Sequence, residues 1–192
     1  MADGPPHECR RRRRRLLRAV PEHNAGSIGQ NRPDGPGAVQ AKWTGAILDE
    51  VFDNLTTNRP DLDAVKLSRT RALMAGAIRD VLVVGYQPLI DILVLPDPDD
   101  RRVLAAAVRS RAQLIVTNNL RDFPSTALTV WGVEAVSPDA FVRAQIDLDR
   151  DVVYAAVTRI ADSWRNPPGA VADVIARLER DGLLETAAAL RE

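Results

Sequence analysis

The sequence predicts an α/β protein: a three-layer α/β/α fold around a central parallel sheet, followed by a C-terminal helical extension. Two observations carry this. Three short β-branched runs, Val81 to Gly85, Leu114 to Thr117 and Val133 to Val136, alternate with stretches of helical periodicity. Strands that alternate with helices build parallel sheets covered on both faces. From Asp147 onward the pattern is helical alone. With 192 residues, 45% hydrophobic and 27% charged, the chain is globular in composition and long enough to bury a core without covalent staples.

Three segments follow from composition: residues 1–42, 43–146 and 147–192. The first is Arg/Pro/Gly-rich, with six consecutive arginines from Arg10 to Arg15 and almost no apolar periodicity. Such text cannot bury enough surface to offset the cost of ordering, so it is expected to be disordered. An arginine block can also grip phosphates without sequence preference. A third reading is a shifted frame or misassigned start, since this text resembles translated GC-rich non-coding DNA.

The middle segment opens with Ile47, Leu48, Val51, Phe52 and Leu55, an apolar stripe at helical spacing that Asn58-Arg59-Pro60-Asp61 breaks. A second helix runs through Leu67, Met74, Ala77 and Ile78, and the run Val81–Gly85 reads as a buried strand. An alanine-rich helix is expected from Pro98 to Arg111, then the strands at Leu114–Thr117 and Val133–Val136. In the last segment Val152, Val153, Ala156, Val157 and Ile160 form one stripe, which Asn166-Pro167-Pro168-Gly169 ends. Val171, Val174, Ile175 and Leu178 form the next, and Leu183 to Leu190 a short final helix.

Composition excludes several chemistries. Cys9 is the single cysteine, so there is no intrachain disulfide or Cys-rich zinc site. The two histidines, His7 and His23, lie in the atypical first segment, which leaves none for acid/base work in the folded part. Twenty-six basic residues balance 26 acidic ones, so no overall field advertises a nucleic-acid partner. No apolar run reaches membrane-spanning length, and a cytoplasmic protein without membrane contact is expected.

The carboxylates hold the remaining chemical signal. In Asp97-Pro98-Asp99-Asp100 the first acid reads as a helix N-cap before proline, and the next two complement the helix dipole. Asp100 resists that account, because Val103, Leu104 and Ala107 place it on the buried face, where an acid requires a positive partner. Thr117-Asn118-Asn119-Leu120-Arg121-Asp122-Phe123-Pro124 follows a strand directly, the place where ligands bind in parallel sheets, although an Asx turn before proline explains it too. Asp49 and Glu50 flank opposite edges of the first stripe and cannot serve one site.

Taken together, Glu50 on an amphipathic helix, Asp100 before Val103-Leu104-Ala105-Ala106-Ala107, and the Thr117–Phe123 motif resemble the PIN domain, most closely the bacterial VapC toxin type. The likeness covers roughly Trp43 to Phe141. It implies a ribonuclease dependent on Mg2+ or Mn2+, often a homodimer, often held inactive by a small antitoxin protein. By position, Glu50, Asp100 and Asp122 correspond to metal ligands, and Asn119 completes the catalytic set. Thr117 matches the hydroxyl residue ending the strand. With Arg101, Arg102 and Arg121 it is expected to contact the RNA substrate. The family's first acid, at the end of an N-terminal strand, has no counterpart, since Asp3 and Asp34 are flanked by Gly and Pro. That departure supports an alternative, a degenerate PIN domain that binds RNA or a protein partner without cleaving. A phosphohydrolase built on Asp97-Pro98-Asp99 would need a strand ending in the nucleophile, and Leu93–Leu95 is a poor one. Dinucleotide binding lacks its Gly-rich turn.

Overall fold

The structure, a computed structural model, describes residues 39–58, 60, 62–76, 82–164 and 168–192. The expectations for residues 1–38, for Ala77, Ile78 and Val81, and for Asn166-Pro167 lie outside them.

The apolar stripe forms helix α1, Gly45–Asn58, and turns Ile47, Leu48, Val51 and Phe52 into the core. Its start is fixed by Thr44, a buried residue whose hydroxyl accepts the Ile47 N–H at 3.0 Å. Helix α2, Ala64–Gly76, buries no residue fully and contributes only the partly buried Leu67 and Met74 to the core. An ion pair of Arg71 with Asp49 ties it to α1.

The run expected as a first strand makes one parallel bridge, Trp43 with Leu82, where the Val83 N–H meets the Trp43 carbonyl at 2.7 Å. Its side chains explain why no ladder forms among the described residues. Val83 is buried, but Leu82 and Val84 on either side are exposed, and Gly85 turns the chain at φ 70°. A β-branched run signals a buried strand only when both of its faces are covered. A short helix not anticipated from periodicity, α3 at Gln87–Ile90, comes next.

The alanine-rich helix begins as a 3-10 turn, Pro98–Asp100, and continues as α4, Arg101–Ser110, ending at Arg111 in the left-handed conformation. Strands β1, Leu114–Val116, and β2, Glu134–Val136, pair in parallel, with Ile115 opposite Ala135. The crossover between them holds a 3-10 turn at Leu120–Asp122, α5 at Ser125–Leu128 and another 3-10 turn at Thr129–Trp131. The architecture is therefore α/β, mostly helical, with a small two-stranded parallel sheet among the described residues.

Two apolar clusters result. The first joins α1, α4 and β1 with Leu93, Leu95, Phe123 and Leu128, and Leu104 and Ala105 at its centre are wholly buried. Small side chains at Ala105, Ala106 and Ala107 let α4 lie close to its neighbours. The second belongs to the last four helices: α6 Pro138–Leu148, α7 Arg150–Ser163, α8 Val171–Arg180 and α9 Leu184–Arg191. Ile146, Val157, Ala161, Val174, Ile175 and Leu190 fill it. On α7 the buried edge runs through Val157 and Ala161, whereas Val152, expected in the stripe, faces solvent. Among the described residues no helix is long and apolar enough to cross a membrane.

Candidate metal centre

Two local turns bring acids to the carboxyl end of the sheet. At the end of β1, Thr117 is wholly buried and its N–H continues the ladder to the Val136 carbonyl at 2.9 Å. Its hydroxyl accepts the Asn119 N–H at 3.0 Å and so shapes the loop that follows. The 3-10 turn at Leu120–Asp122 then folds Asp122 back, and the Asn119 side-chain amide donates to its carboxylate.

The second turn precedes α4. The Asp97 carboxylate accepts the Asp99 N–H at 2.9 Å, with proline at the first helical position, as the capping pattern predicts. The Asp100 N–H bonds the Asp97 carbonyl at 3.2 Å. Side chains three apart eclipse in 3-10 geometry, so Asp97 and Asp100 point to one side. Asp100 is 7% exposed, and Val103, Leu104 and Ala107 on the same face are buried.

The two turns converge. One carboxylate oxygen each from Asp97, Asp100 and Asp122 lie within 4.8 Å of one another. Asp97 is the member that sequence reasoning missed, because its capping role accounted for it fully; its spacing of three from Asp100 was the available signal. Glu50 approaches from α1 but stands outside the trio. Its carboxylate pairs with Arg102 at 2.9 Å, both side chains about a third exposed. Asp49 points away, toward Arg71.

The expected substrate contacts divide. Arg121 is exposed on the Leu120–Asp122 turn, while Arg101 is half-buried. Arg102 is engaged by Glu50. Thr117 lies too deep to touch a substrate, and its hydroxyl is already used by the loop backbone.

Crowded negative charge shows in the electrostatics. Burial, and then the charges of Asp97, Asp122 and Glu50, push the Asp100 carboxyl up from 3.8 to about 6, against the opposing pull of Arg102. Such a cluster is costly without a cation, and its donors suit a hard one, since carboxylate oxygens are what Mg2+ and Mn2+ take. Two oxygens on opposite sides of one Mg2+ lie about 4.2 Å apart, twice a contact of ~2.1 Å. Adjacent oxygens lie about 3.0 Å apart, and three ligands have at most one opposite pair, so a set within 4.8 Å of one another closes on one ion by side-chain shifts of up to about 1.8 Å in a pair. The residues fit the ion. Nearby, a shallow cavity of about 190 Å³ opens between Asn118, Ser137 and Asp139 on one side and the α8–α9 turn, Asp181 and Gly182, on the other.

Comparison with known proteins adds a likeness of its own. Residues 138–192 match the family described as "VapC50 C-terminal domain". The chain is 45% identical over 69 residues to a Mycobacterium tuberculosis protein named "Putative ribonuclease VapC50", a stretch that is 36% of this chain and 41% of that relative. The match thus spans less than half of the relative's length. No solved structure matches the chain significantly. Both matches carry the VapC50 name, in accord with the resemblance to the VapC type.

Proposed function

We propose that this chain, similar as it is to a VapC-type protein, hydrolyses RNA phosphodiester bonds with the help of Mg2+ or Mn2+ held by Asp97, Asp100 and Asp122. The carrying observation is the convergence of three carboxylate oxygens within 4.8 Å past the end of the sheet. Asn119 positions Asp122 by donating to its carboxylate. Thr117 fixes the loop that carries both. Glu50, on α1 and acting on Asp100 through its charge, is the fourth acid of this reading. When bound, the ion supplies charge neutralisation at the phosphodiester and eases deprotonation of the attacking water. Arg121 and Arg101 flank the acids and are suited to holding backbone phosphates.

The three-layer α/β/α arrangement typical of the PIN resemblance, a homodimer and a small antitoxin partner belong to the same proposal. Helices α6 to α9 enclose their own apolar cluster, which supports reading them as an appended unit whose start lies near Pro138.

The test is cleavage of a mixed RNA substrate by the full chain, with and without Mg2+, beside Asp100→Ala. Cleavage that requires the ion and vanishes in the variant supports the proposal. Equal cleavage by both proteins discards the metal centre, and RNA binding without any cleavage favours the non-cutting alternative.

A further inference from the structure

Arg102 contributes a positive charge to a site that otherwise collects negative ones. Its Nη2 lies 2.9 Å from Glu50 Oε2, joining α4 to α1 across 52 residues of sequence. The hold is a single one. Arg102 Nε is buried without a hydrogen-bond partner, whereas a guanidinium that clamps a carboxylate firmly does so through two parallel bonds. Both side chains are also about a third exposed, so water screens the pair. A contact of this kind is made to be exchanged.

The alternative partner for Glu50 is the cation: the charges that act on Asp100 include Glu50, and the three aspartates supply three donors where Mg2+ and Mn2+ accept more oxygens. A dication and a guanidinium cannot both face one carboxylate oxygen. Resting on the reading of the aspartates as a metal centre, we infer that Arg102 is a built-in counter-ion that competes with the divalent cation for Glu50, and so sets the cation concentration at which the site loads. Arg102 is by this account a positioning residue, acting through Glu50.

Titration calorimetry of the full chain with Mn2+ tests this, using Arg102→Gln, Glu50→Gln and the double variant, with Arg109→Gln as a charge control on the far end of α4. Arg102→Gln tightens Mn2+ binding by on the order of fivefold, the upper end for a half-exposed ion pair. Glu50→Gln weakens binding, and in that background Arg102→Gln adds little. Arg109→Gln leaves affinity as it is. Arg102→Lys, which keeps the charge and stem, falls between and serves if the glutamine variant does not fold. Unchanged or weaker binding in Arg102→Gln overturns the inference while leaving the metal centre standing. So does an equal gain in the Glu50→Gln background, which would mark a through-space charge effect. Failure of every protein to bind Mn2+, indistinguishable from Asp100→Asn, overturns the metal centre itself and the inference with it.

Discussion

Asp139 and Thr186 are 47 residues apart in sequence and joined by a 2.8 Å hydrogen bond from the Thr186 N–H to the Asp139 carboxylate. The Glu185 N–H donates to the same carboxylate at 3.0 Å. An acid in the first turn of α6 thus caps α9, a role normally filled from within the same helix. Asp139→Ala is expected to lower the unfolding free energy by about 1–2 kcal/mol in urea titrations. A change below ~0.3 kcal/mol would show that the cap is not needed.

The same carboxyl predicts a pH dependence. Burial alone would raise its pKa, but the N–H groups of Thr186 and Glu185 outweigh that and hold it below 3.8. A depressed acid stabilises the fold above its unfolded value and loses that contribution as pH falls through the folded one. Stability of the wild type should therefore drop more steeply below about pH 4 than that of Asp139→Asn. Parallel acid-unfolding curves would contradict this.

Asp100 behaves in the opposite sense. Its folded value of about 6 lies above the ordinary 3.8, so the ionised form costs stability above the folded value and nothing below the unfolded one. In chelator, thermal stability should rise as pH falls from ~7.5 to ~5, by at most about 1.4 kcal/mol, half of the term that is fully released only below the unfolded value, and less after solvent screening. Asp100→Asn should remove that rise and abolish stabilisation by added Mg2+ or Mn2+. A wild-type profile that is flat, or that falls toward pH 5 while the variant behaves alike, would remove Asp100 from the cluster.

Asp97 allows its two roles to be separated. Asparagine caps helices about as well as aspartate, so Asp97→Asn should change stability by less than ~0.5 kcal/mol while weakening Mn2+ binding. Asp97→Ala should lose about 1 kcal/mol as well. If Asp97→Asn binds Mn2+ like wild type, the third donor is misassigned.

Gly169 packs against an aromatic ring. A Cβ there would sit 2.7 Å from Trp164 Cε3 and 3.0 Å from Trp164 Cβ. Because the second contact is at the root of the side chain, rotation cannot relieve it, and Trp164 is packed against the second apolar cluster. Gly169→Ala should cost about 1–3 kcal/mol, read by loss of melting temperature. An unchanged melting temperature would mean the tryptophan moves freely.

The parts of this molecule that sequence revealed are those where one cause acts locally. The stripe from Ile47 to Phe52 and the strand after Arg111 follow from periodicity and β-branching. Asp100 was visible as an acid on a face whose neighbours are buried. What sequence hid arises where two causes meet in one residue or where a partner is distant. Asp97 has a sufficient local explanation as a cap, so nothing in the text marks its second engagement. The pairing of Glu50 with Arg102 and the reach of Asp139 to Thr186 depend on helix placement, which no spacing encodes. Val81–Gly85 reads like Leu114–Thr117, yet among its described residues Val83 is buried while Leu82 and Val84 are exposed, and one bridge forms.

The three aspartates come from a stretch of chain running from Asp97 to Asp122, wrapped around one strand and one helix. Glu50 stands on a different element, whose entrance is tied to Leu82 and Val83 by the Trp43 bridge. The three aspartates are therefore fixed to a common wall, whereas Glu50, outside the trio, is mounted on a separate plank. On the proposed metal centre, ions of different radius would ask for different spans between the trio and Glu50, which α1 carries. How firmly the first helix is seated would therefore bear on which dication fits the proposed centre.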